Sequence, residues 1–238
     1  MKSVSAKRLY AYWQALRNDR PAPERRDLEP SSIKGLLSDI FILEHEAAEQ
    51  FSFRLAGSAL CSAYCRELKG RSFRKLWPEI DLEALDTTLL AIREEAAATV
   101  IGYDAINSRG HVLGYEMLLL PLRYGGADFP RILGISTPVD QPYWLGVHPI
   151  MEHQITSMRL IWPDETPAFM RTGSVIAHPA QFEAETAYRG NVVPLAQHGR
   201  TFNDFGMRMR AEGSLGRPPE SVRDKRAAFR VIKGGMDH

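Results

Sequence analysis

The sequence predicts an α+β domain: a five-stranded antiparallel sheet with helices on one face, an N-terminal amphipathic helix ahead of it and a mostly irregular C-terminal extension after it. Three observations predict this. Two short strand-like segments, near residues 39–44 and 51–56, are separated only by the polar run Glu46 to Gln50. A longer helical pattern occupies about Asp81 to Ala97, and three strand candidates then follow in succession with no helical periodicity between them. Consecutive strands joined by short turns give antiparallel pairs, whereas a parallel sheet would need a helix at each crossover.

Along the chain, Leu9, Trp13 and Leu16 fall at i, i+4 and i+7 between Lys7 and Asn18, with Tyr10 and Tyr12 beside them, which is the apolar stripe of a helix. Pro21 and Pro23 stop it. Ile33, Leu36, Leu37 and Ile40 suggest a second short helix over Ser31 to Ser38, started by Pro30 and Ser31. Phe51, Phe53 and Leu55 alternate with Ser52, Arg54 and Ala56, as a strand with two unlike faces requires. Gly57 ends that strand, and short helices and turns fill the segment through Trp77. Leu82, Leu85, Leu89 and Ile92 then mark the longer helix, with acidic residues in its first turn where the helix dipole favours them. The strand candidates are Thr99–Ile106, Val112–Leu122 and Arg131–Thr137, the first two joined by the turn Asn107-Ser108-Arg109-Gly110.

Composition bounds the function. The chain has 238 residues, 44% hydrophobic and 25% charged, enough for one well-cored domain plus an extension. Its net charge of +1 is too balanced for a surface given over to nucleic acid or an anionic membrane. Charge is uneven, however: residues 1–170 hold 19 basic and 22 acidic side chains, and residues 171–238 hold 11 and 7. We therefore expect an N-terminal helix and linker over 1–25, a domain over 26–165, and a C-terminal extension with a basic tail over 166–238. Two cysteines four residues apart, Cys61 and Cys65, form no disulfide framework and suit a reducing cytoplasm. The longest apolar run, Met117 to Leu122, is far short of the roughly 20 residues of a membrane helix, and no secretory signal pattern opens the chain.

Several stretches, in this order, resemble one bacterial branch of the PAS domains, the PAS_5 family of small alphaproteobacterial proteins. They are Tyr12-Trp13-Gln14-Ala15-Leu16-Arg17, Leu28-Glu29-Pro30, Phe53-Arg54-Leu55-Ala56-Gly57-Ser58, Arg66-Glu67-Leu68-Lys69-Gly70-Arg71-Ser72-Phe73 and Leu76-Trp77. The resemblance implies a sheet covered by helices with a pocket between them, and a sensory or docking role in signal transduction without catalysis. It implies no particular ligand, since the fold hosts haem, flavin, organic acids or nothing.

Gly125-Gly126-Ala127-Asp128-Phe129 resembles the GGDEF signature of diguanylate cyclases, but Ala127 removes one of its two carboxylates and glycines of a β-turn explain it. Flavin photochemistry needs a cysteine in an Asn-Cys-Arg-Phe-type loop, which Cys65-Arg66-Glu67 is not. Haem needs a histidine on the longer helix, which has none. His148 and His153, with Glu152, lack the further ligands of a zinc site. No cofactor and no metal are expected, and any ligand should be small and non-covalent.

A pocket, if lined as the resemblance implies, would draw on Arg54, Tyr64, Phe73, Trp77, Tyr103 and Glu116. Arg54 and Glu116 are charges in apolar strands: pointing inward they would hold an organic acid or each other, and pointing outward simple alternation explains them. The aromatic four serve equally as core. The stripe of Leu9, Tyr12, Trp13 and Leu16 either packs on its own sheet or joins a second subunit into a homodimer. Arg223, Lys225, Arg226, Arg230 and Lys233 form the basic tail, open to three readings: a solvated tail, a protein docking segment or a phosphate-binding patch. The sequence thus reads as a non-catalytic cytoplasmic sensor or adaptor. An enzyme on a similar curved sheet and a nucleic-acid-binding regulator are the alternatives.

Overall fold

The structure, a computed structural model, describes residues 1–46, 50–125 and 129–171, all of which belong to one compact unit. In chain order the elements are α1 (Val4–Arg17), β1 (Ile40–Glu46), β2 (Gln50–Ala56), α2 (Ser58–Ala63), α3 (Glu79–Glu95), β3 (Ala98–Asn107), β4 (Val112–Leu122), β5 (Arg131–Pro138), β6 (Ile150–Ile161) and the short α4 (Ala168–Arg171). Two 3-10 segments, Pro30–Leu36 and Arg74–Leu76, stand where short helices were expected.

The strands form one antiparallel sheet in the order β2-β1-β5-β4-β3-β6. Five of the six are those read from the sequence. The sixth, β6, pairs with β3 along its whole length, from Ala98↔Ile161 to Asn107↔Ile150. Two bulges, opposite Gly102/Tyr103 and Ile106/Asn107, break its alternation of inward and outward residues, so its apolar positions show no period of two.

The helices that follow β2 cover one face, as expected, and the N-terminal helix α1 covers the other. On the inner face Phe41, Leu43, Ile101, Tyr103, Tyr115 and Met117 pack with Leu60 of α2 and Leu85, Leu89 and Ile92 of α3. On the outer face Ile40, Ile42, Val100, Leu118, Leu120 and Leu133 pack with Leu9, Tyr10, Tyr12 and Trp13 of α1. A central strand buried on both sides reads as an unbroken apolar run, and Leu118-Leu119-Leu120 of β4 is such a run.

The stripe expected to meet a second subunit is therefore occupied within the monomer. Leu9 is fully buried, Trp13 and Tyr12 nearly so, and Leu16 packs partly against the same cluster. Trp13 Nε1 donates to the Pro121 carbonyl of β4 at 2.9 Å. The chain entering α1 is held by the sheet as well, since the amides of Lys2 and of the N-cap Ser3 donate to Glu116 at 2.7 and 2.8 Å. Ser3 itself caps the helix by accepting from the Ala6 amide.

Close backbone approach fixes the sheet at one point. Phe41 of β1 lies directly across from Gly134 of β5, and a Cβ on Gly134 would stand 2.1 Å from its ring. The Phe41 ring is thereby held against Phe53, at a centroid distance of 5.5 Å, and Phe73.

Candidate functional site

The inner face carries a polar cluster inside its apolar core. Tyr64 caps the C-terminus of α2, Phe73 and Trp77 flank the 3-10 turn Arg74–Leu76, and Tyr103 points inward from β3. All four are at least nine-tenths buried. His153 joins them from β6, with only 2% of its surface exposed. Its ring lies 4.5 Å from Tyr103, 4.7 Å from Trp77 and 5.6 Å from Tyr64, centroid to centroid. Tyr115 stacks on the far side of Tyr103 at 5.3 Å.

Hydrogen bonds run through the rings. The Tyr64 hydroxyl meets His153 Nε2 in a short contact, and the Tyr103 hydroxyl bonds Ser136 Oγ of β5 at 2.7 Å. Two buried donors or acceptors of the cluster have no partner: Trp77 Nε1 and His153 Nδ1. Buried polar atoms are satisfied in the great majority of cases, so two orphans on rings in edge contact are an unusual feature.

Burial sets the charge state. It pushes His153 down to about 3, so the imidazole is neutral at any physiological pH. Burial also raises Tyr64 well above the ordinary tyrosine value, and Tyr103 and Tyr115 are raised for the same leading reason. Only two charged side chains are buried among the described residues, Asp81 and Arg131. Asp81, in the first turn of α3, accepts from the Ile155 amide at 2.9 Å beside the β6 bulge, and burial raises its pKa. Arg131 belongs elsewhere: it grips Glu44 and lies 3.6 Å from the centroid of Tyr124.

Of the residues predicted to line a pocket, Tyr64, Phe73, Trp77 and Tyr103 come together, while Arg54 and Glu116 do not. The Arg54 side chain is 57% exposed on β2 and pairs with Glu44 at 3.0 Å. Burial alone would raise Glu44, but Arg131 and Arg54 outweigh it and lower its pKa. Glu116 faces the opposite side of the sheet, where it holds the start of α1. Alternation explains both, since Phe53 and Tyr115, their chain neighbours, take the inner face. Sequence reasoning missed His153 as a member of the cluster, considering it only with His148 and Glu152 as a weak zinc pair. Among the described residues no group of three or more His, Cys, Asp or Glu side chains is placed to hold a metal. Cys61 and Cys65 are both free thiols, Cys61 half-buried and Cys65 exposed. Gly126 to Asp128 of the GGDEF-like motif, and all five basic-tail residues, Arg223, Lys225, Arg226, Arg230 and Lys233, lie outside the described residues.

No helix of the described residues is long and apolar enough to cross a membrane. Similar solved structures include the light state of the LOV domain of the blue-light photoreceptor Aureochrome1, 17% identical over 48% of this chain and 90% of that one, with a TM-score of 0.37. The Rhodobacter sphaeroides LOV protein is 9% identical over 49% of this chain and 71% of that one, with a TM-score of 0.37. The PAS domain of an HTR-like protein from Haloarcula marismortui is 20% identical over 46% and 90%, with a TM-score of 0.34. No curated protein matches the chain. The sequence matches the PAS_5 family, described as a PAS domain, over residues 1–137, more than half of its length. The chain belongs to that family of PAS domain proteins.

Proposed function

We propose that this protein is a non-catalytic sensory or adaptor module of bacterial signalling, which binds a small, non-covalent ligand at the Tyr64–Trp77–Tyr103–His153 cluster and passes its state to a partner protein. The observation that carries this reading is the pair of unpartnered ring nitrogens within a packed aromatic core. Such atoms stabilise the core only when something bonds them. The absence of catalysis is supported by charge state. A general acid or base works best with a pKa near the operating pH, and His153 and the three tyrosines are all moved away from it.

Membership of the PAS family supports a homodimer. Because α1 already buries its stripe on its own sheet, the interface we propose excludes Leu9, Tyr12 and Trp13. The two free thiols support a cytoplasmic setting. The basic tail of the extension over 166–238 is proposed to dock on an acidic partner protein, with nucleic acid set aside on the balanced net charge.

Native mass spectrometry of freshly purified protein tests the ligand and the subunit count together. We expect a dimer, and a small mass increment that is lost on denaturation. An increment that survives denaturation, or a stoichiometric visible chromophore, overturns the ligand reading, and a monomer at tens of micromolar overturns the assembly.

A further inference from the structure

The two orphaned ring nitrogens also select the chemistry of what would bind them. Trp77 Nε1 can only donate, so whatever completes the site must bring a hydrogen-bond acceptor. His153 Nδ1 donates if Nε2 accepts from Tyr64, and accepts if Nε2 donates; in either tautomer the ring is uncharged. Among the described residues no buried cation is left to meet an anionic ligand inside. Arg54 is on the surface, Arg131 is committed to Glu44, and Arg66 is exposed, reaching Tyr64 only at 6.0 Å from the ring centroid. Asp81, one of the two buried charged side chains among the described residues, is bonded to the Ile155 amide two residues along β6 from His153, and a negative charge there disfavours an anion. A buried charge without a partner is strongly disfavoured. A simple ammonium ligand would suit the ring faces but brings only donors, leaving the Trp77 N–H orphaned.

We propose, resting on the reading of this cluster as the ligand site, that its ligand is a small neutral molecule presenting an acceptor oxygen of the carbonyl type to Trp77 Nε1–H, with His153 Nδ1 as the second contact. Ionised organic acids, which Arg54 would have served had it pointed inward, do not fit this site.

Four probes of matched size separate the possibilities: acetophenone, neutral with an acceptor; toluene, neutral without one; benzoate; and benzylamine. Each is titrated into the full-length protein, and the Trp77 indole N–H is followed by proton–nitrogen correlation spectra, assigned by its loss in Trp77→Phe. Acetophenone should move that resonance downfield and saturate, binding at least tenfold more tightly than benzoate or benzylamine. Toluene should leave it without a downfield shift. In Trp77→Phe, which keeps a ring and removes the donor, acetophenone should bind about fivefold more weakly by ligand-observed spectra. Tighter binding of benzoate or benzylamine at the same resonance overturns the neutral class while leaving the ligand site in place. If no probe moves the Trp77 resonance, both the class and the site fall.

Discussion

Acidification should destabilise this protein through His153, whose burial opposes its protonation. The imidazole is buried against Tyr64, Trp77 and Tyr103, and its pKa falls from 6.5 to about 3. The unfolded chain takes up a proton near pH 6.5 that the native state refuses until about pH 3, so stability is full above the unfolded value and is lost as pH falls below it. Between pH 8 and pH 5 the loss comes to about 2 kcal/mol, or a midpoint lower by roughly 4–8 °C for a domain of this size. His45 adds to the same trend, since burial and Arg93 lower its pKa too, while Asp39, Asp81 and Asp104, all raised by burial, act in the opposite sense. The measurement must therefore be a difference between two proteins. His153→Gln keeps an amide to bond the Tyr64 hydroxyl and does not titrate. Urea unfolding followed by tryptophan fluorescence at pH 8, 7, 6 and 5 should show wild type losing about 2 kcal/mol more than His153→Gln across the range. Parallel decline of the two would refute the reasoning, because it would mean that His153 titrates alike in the folded and unfolded chain.

Three further outcomes follow from the packing. Trp13→Ala removes a buried ring and its bond to Pro121, and should cost about 3–5 kcal/mol in urea unfolding without changing the subunit count by sedimentation. A change in subunit count at unchanged stability would return α1 to the interface. Gly134→Ala drives a methyl into the Phe41 ring and should cost about 1–3 kcal/mol by the same assay, and a neutral result would show that the ring can move aside. Asp81→Asn retains an oxygen for the Ile155 amide and loses the buried charge, so its stability relative to wild type should rise with pH above the ordinary carboxylate value of 3.8. Asp81→Ala leaves that amide unpaired and should cost about 1–3 kcal/mol, and a slope of the Asn variant matching wild type would refute the assignment.

The sequence shows those parts of the fold whose side chains repeat with the period of their element. β2, β3, α1 and α3 do so, β1, β4 and β5 carry unbroken apolar stretches instead, and each is legible to within a few residues. Which face a helix covers is a different kind of information. The stripe Leu9, Tyr12, Trp13 and Leu16 fits a partner subunit or its own sheet equally well, and only the second apolar face of β4 and β5, exposed without α1, decides for the sheet. β6 was hidden for a sharper reason. Its inward residues Ile150, His153, Ile155 and Met158 are spaced three, two and three apart, because each bulge inserts one residue and moves the next side chain to the other face. That spacing matches neither a strand nor a helix. The same bulges that conceal the strand leave the Ile155 amide to Asp81 and keep His153 facing Trp77 and Tyr103. The local departure from regular pairing is therefore what builds the polar centre of the site, and a strand regular enough to be read from sequence could not have placed Ile150, His153, Ile155 and Met158 all on the inner face.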